Sequence, residues 1–262
     1  ENQILVTQKF LDDANYFFNQ DSDVMFKVGA ILIDAGHGGK DPGACQTWKI
    51  YGKNVTIREK DITLKVCKML YERLKIAYPD KKIIMTRDTD KFLSLVERTD
   101  IANSVQVDSD EATLYISVHV NSSLNKNASG YEVWYLSPGY RRTVIDESVA
   151  EGDETLLPIL NSMLEEEYTK ESIMIAEFIM DGMQAQIGTQ SKAPGIKEEE
   201  WFVVKNANMP AVLIELGFLS NYNEAILLNN DKYLKKATLG IYNGIAAFIT
   251  HFERSRGFTS TK

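Results

Sequence analysis

The chain reads as an α/β protein. Three observations lead there. Short β-branched or apolar runs recur at 29–34, 82–86, 113–119, 131–136, 201–204 and 211–215. Segments with apolar residues at helical spacing separate many of them, the rhythm of a sheet packed between helices. Polar residues of catalytic type stand at or just past the ends of three runs: His37, His119 and Glu215. The carboxyl ends of core strands are where open α/β sheets carry their chemistry.

Taken in order, residues 1–28 are a polar, aromatic-flecked lead-in (Phe10, Tyr16, Phe17, Phe18, Phe26) and read as an N-terminal extension or linker. The domain proper is expected over 29–253, with a tail at 254–262. Helices are expected at 60–77, 94–106, 172–187 and 232–253; in the first, Ile62, Val66, Met69, Leu70 and Leu74 repeat with a helical period. The acidic stretch from about 140 to 172 has no strand signal. Leu156, Leu160, Met163 and Leu164 recur there at helical spacing, so it reads as an inserted amphipathic helix.

Composition narrows the function. The 262 residues are 44% hydrophobic and 25% charged, enough for a sizeable core. A net charge of -8 without a basic stripe argues against a nucleic-acid partner. Cys45 and Cys67 are too few for a disulfide framework. No run approaches the roughly 20 apolar residues of a membrane-spanning helix. The chain opens on Glu1 rather than methionine, which fits a trimmed export signal or a chosen boundary.

His37, Glu59, His119 and Glu215 together supply what a hydrolytic zinc site needs. Catalytic zinc takes three protein ligands and leaves a position for water, and a further carboxylate serves as general base. Singly, the first three have plain explanations. A strand-end histidine is commonly structural, and an acid at a helix start, like Glu59, is favoured by the helix dipole. Glu215, inside Val212-Leu-Ile-Glu-Leu-Gly-Phe218, is costly to bury without a partner. Gly36, Gly38 and Gly39 lack the Gly-Lys-Ser/Thr ending of a phosphate loop.

Four blocks carry a resemblance: Ile33-Asp-Ala-Gly-His-Gly-Gly-Lys-Asp-Pro-Gly-Ala44, Arg58-Glu-Lys-Asp-Ile62, Ser117-Val-His-Val-Asn-Ser122 and Val212-Leu-Ile-Glu-Leu-Gly-Phe-Leu-Ser-Asn221. In order and content they resemble the signature blocks of zinc-dependent N-acetylmuramoyl-L-alanine amidases, the type-3 cell-wall amidases. Thr86-Arg-Asp88, Leu95-Val-Glu-Arg98 and Val204-Lys-Asn-Ala-Asn-Met-Pro210 support it, and the likeness runs from about Val28 to Phe252.

The resemblance implies a single α/β domain with a mostly parallel six-stranded sheet flanked by helices, plus the inserted helical segment. It implies one Zn2+ held by His37, Glu59 and His119, with Glu215 as catalytic acid/base. Asn121 and Asp34 are placed to orient ligands or substrate. The substrate is the amide between N-acetylmuramic acid and L-alanine in peptidoglycan, so an exported, periplasmic or wall-associated monomer is expected. Some cell-division members carry an inserted helix that blocks the site until an activator protein displaces it. Here Glu165, Glu166, Glu167, Glu151 or Glu154 is eligible to fill zinc's open position; an inert surface helix is the other reading. A zinc metallopeptidase acting on stem peptides, or a silent peptidoglycan-binding protein, is the alternative function.

Overall fold

The computed structural model describes residues 26–138, 140 and 156–255. In chain order the strands are β1 (Lys27–Ala35), β2 (Cys45–Ile50), β3 (Lys53–Arg58), β4 (Lys82–Met85), β5 (Glu111–Asn121), β6 (Glu132–Tyr135), β7 (Gly195–Glu198) and β8 (Ala211–Phe218). Six of these make one sheet in the order β4-β1-β5-β8-β6-β7, while β2 and β3 form a separate hairpin. β4, β1, β5 and β8 are mutually parallel, and β6 runs antiparallel to β8 but parallel to β7. The sheet is thus mostly parallel, as expected.

The helices are α1 (Glu59–Ala77), α2 (Leu95–Asn103), α3 (Leu156–Ile187), α4 (Phe202–Lys205), α5 (Tyr222–Leu228) and α6 (Asp231–Arg254). Consecutive strand residues face opposite sides, and here both sides are covered. Ile31, Ile33, Ile116, Val118 and Ile214 share a core with Val66 and Leu70 of α1, Ile175 and Ile179 of α3 and Ile241 and Phe248 of α6. Leu32, Tyr115 and Leu213 face the other way, against Ala102 of α2 and Val203 and Val204 of α4. Burial on both faces explains why β1 and β8 are apolar runs without alternation. None of the helices described is long and apolar enough to cross a membrane.

Several elements differ from the sequence expectation, among them the short helix α5, for which no helix was expected. The run at 201–204 is not a strand; α4 forms there and β7 lies just before it. Val203 and Val204 are consecutive and both buried in one core with Ala207, which a helical turn allows and a strand facing one core does not. The β2–β3 hairpin was unforeseen, although Tyr51 and Gly52 between alternating runs are its turn signal. Both adopt positive φ (46° and 80°), as a two-residue hairpin turn demands. α2 stops at Asn103 rather than 106, where the Ser104 N–H returns to Asp100 O. The inserted helix and the helix expected at 172–187 are one, the 32-residue α3.

The direction of α3 decides where the insert stands. Ser172 Oγ accepts the N–H of Ala211, the first residue of β8. Beyond the other end of α3, Ser191 Oγ donates to Glu224, whose carboxylate takes the Phe218 N–H at the end of β8. α3 therefore runs alongside β8 in the same sense, and its first half projects past the amino-terminal edge of that strand.

Candidate metal centre and active site

The site grows from the carboxyl ends of β1, β5 and β8. Beyond Ala35 the chain turns, and His37 adopts φ 60°, a conformation costly for a residue with a side chain. Two buried guanidiniums clamp this turn. Arg87 donates to the carbonyls of Ala35 and Gly36, at 2.8 Å each; Arg98 donates to those of Ala35 and His37, at 2.7 Å each. Arg98 is ion-paired with Asp34 at 2.7 Å, and Asp34 also accepts from Thr86 and Ser117. Burial would raise the Asp34 carboxyl, but Arg98 and these hydroxyls outweigh it and hold it below its usual value. Asp34 thus acts on the His37 turn through Arg98.

Glu59 opens α1, where the helix N-terminus favours an anion. Its Oε1 accepts the Val120 N–H at 2.9 Å and lies 3.1 Å from His37 Nε2 and 3.0 Å from His119 Nδ1. Its Oε2 accepts the Ala44 N–H at 2.7 Å. Burial opposes ionisation of Glu59, yet its bonds with His119 and His37 prevail and hold it far below the carboxylate range. His37 is likewise disfavoured as a cation by burial, but Glu59 and then Asp41 raise it above its ordinary value. Asp41 Oδ2 lies 2.7 Å from His37 Nδ1, on the ring side away from Glu59.

One ligand atom from each of His37, Glu59 and His119 lies within 4.8 Å of the other two. The donor set, two imidazoles and a carboxylate, is one that zinc accepts. Gly43 packs directly against the set: a Cβ added there would fall 2.5 Å from Glu59 Oε2 and 2.6 Å from His37 Cδ2, so a larger residue would push both side chains out of place.

Glu215 of β8 is the register partner of His119 on β5 and, on its other side, of Glu132 on β6. Among the described residues its buried Oε2 has no hydrogen-bond partner. Burial pushes the Glu215 carboxyl well above its usual range, and the charges of Glu59 and Glu132 add to that. Glu132 is buried too but fully engaged, by Lys197, by Asn121 Nδ2 at 3.1 Å and by Trp134 Nε1 at 3.2 Å.

The sequence profile described as N-acetylmuramoyl-L-alanine amidase matches residues 31–247. The chain belongs to that family. A putative N-acetylmuramoyl-L-alanine amidase of Buchnera aphidicola (subsp. Baizongia pistaciae) is 34% identical over 211 residues, 78% of this chain and 88% of that protein. The probable amidase AmiB of Haemophilus influenzae is 31% identical over 239 residues; the match takes in 83% of this chain but about half, 51%, of that protein. Among solved structures, the catalytic domain of the amidase CwlV from Bacillus (Paenibacillus) polymyxa aligns with TM-score 0.63 and 26% identity, over 85% of this chain and 99% of that domain.

Within this amidase fold, His37, Glu59, His119 and Glu215 come together as the blocks led one to expect. Asn121 lies beside them, donating to Glu132 and accepting the Ser122 N–H. Glu165, Glu166 and Glu167 do not come near. They stand in the half of α3 beyond the start of β8, so Glu167 lies about 20 Å along the strand direction from the level of Glu215. In this arrangement α3 does not bring these three to the open metal position. Glu151 and Glu154 lie outside the described residues. Sequence reasoning missed Asp41 and Glu132. An acid in the glycine turn after His37, and one inside Tyr131-Glu-Val-Trp134, were the available signals.

Proposed function

We propose that this amidase hydrolyses, with zinc, the amide joining N-acetylmuramic acid to L-alanine in peptidoglycan. The observation that carries the reading is the convergence of His37, Glu59 and His119 beside an unpaired, buried Glu215 oxygen. His37, Glu59 and His119 would hold the ion, which when bound supplies a Lewis acid and a water acidified to a pKa of roughly 7.

The chain's own groups do the rest. Asp41 fixes the orientation of the His37 ring. The Ala44 and Val120 amides pin both Glu59 oxygens. Glu215, whose carboxyl binds a proton readily where it sits, takes one from the attacking water and returns it to the departing alanine nitrogen. Peptidoglycan lies outside the cytoplasmic membrane, so the activity belongs to the periplasm or the wall. The chain acts there as a monomer. If an activator protein governs the site, it works through the 140–172 insert.

The test is mass-spectrometric product analysis of purified peptidoglycan digested with zinc and with chelator. Free stem peptides beginning with L-alanine, lost on chelation, are expected. Cleavage inside the stem would instead make the chain a metallopeptidase.

A further inference from the structure

The wall beside Glu215 continues on the same face of the sheet into a group that the catalytic reading leaves unused. Register places Glu132 opposite Glu215, Trp134 opposite Leu213, and Lys197 opposite Trp134. Trp134 is therefore the diagonal neighbour of Glu215, about 7–8 Å away, and Lys197 one strand further, about 12 Å out. The Lys197 ammonium sits 5.0 Å from the centroid of the Trp134 ring and is paired with Glu132. Trp201, 41% exposed, meets Trp134 edge to face at 5.8 Å. An indole open to solvent, a second at right angles and a half-open lysine make a platform on the Glu215 side of the sheet.

We infer that Trp134, Lys197 and Trp201 form the subsite for a sugar ring of the glycan strand, with the buried Glu132 holding Lys197 in place; this rests on the amidase reading. Charge selects the sugar over the stem peptide. Glu132 and Lys197 neutralise each other, so the platform offers hydrogen bonds rather than net charge. Glu198, Glu199 and Glu200 are exposed immediately before Trp201 and repel a peptide bearing carboxylates. An uncharged pyranose presents C–H faces to the indole and hydroxyls to the half-open Lys197 ammonium, the mixture of aromatic wall and few polar groups that ligand sites use.

The experiment is calorimetric titration of the zinc-loaded protein with uncharged, peptide-free oligosaccharides of N-acetylglucosamine. Trp201→Ala is expected to weaken binding about tenfold, with Trp201→Phe retaining most of it. In parallel, Trp201→Ala should lower kcat/KM about tenfold on a muramoyl peptide and leave it unchanged on a lactoyl peptide lacking the sugar. A wild type that binds no glycan, or an equal loss on both substrates, overturns the subsite. Glycan binding lost in Trp201→Ala without any release of L-alanine peptides would sink the amidase reading and leave the subsite standing. Release of those peptides with Trp201→Ala indistinguishable from wild type would do the reverse.

Discussion

His119 and Glu215 are register partners on adjacent parallel strands, so an imidazole and a carboxylate leave β5 and β8 side by side on one face. Backbone pairing sets their separation, and neither depends on a flexible loop for its position. A rigid scaffold of this kind holds groups at the distances that metal-assisted hydrolysis needs.

Glu215→Gln should keep zinc near stoichiometric while lowering kcat by about two to four orders of magnitude, the range of a lost general acid-base. Metal analysis beside single-turnover kinetics checks it. Activity near that of the wild type would remove Glu215 from the proton transfer.

Asp41→Ala should weaken zinc binding by about 10- to 100-fold, because the His37 ring loses the partner that orients it. Competition with a calibrated chelator measures this. An unchanged affinity would reduce Asp41 to a turn residue.

Replacing Glu165, Glu166 and Glu167 together by alanine should leave kcat/KM within about twofold of wild type, as expected of residues remote from the site. A large rise in basal activity would show that α3 reaches the centre in another arrangement of the chain.

Glu171 supplies a pH test of stability. Burial, with help from the Glu167 charge, raises its carboxyl from 4.5 to about 8. The folded state then keeps a proton that the unfolded chain releases, so stability falls as pH rises through that window. Glu171→Gln should remove up to about 4 kcal/mol of this loss at pH 8 and little near pH 4.5. Urea denaturation of both proteins at the two pH values decides. A gap of the same size at each would assign the effect to packing.

By itself the sequence determined the α/β class, most sheet strands and the long helices, and it singled out four residues that the fold brings together. Those strands are hydrophobic enough to need burial on both faces, and their polar ends stand out against that background. Other features were settled only when distant segments met. Val203 and Val204 look like a strand until Ala207 shows which core they share. Glu132 becomes part of the site through the antiparallel pairing of β6 with β8, which no local pattern encodes. The helical period of 156–167 was legible, but not its continuity with the rest of α3 or which edge of the sheet it passes. Helix periodicity reports which face is apolar, whereas the direction of a helix along a sheet follows from contacts such as Ser172 with Ala211, 39 residues apart in the chain.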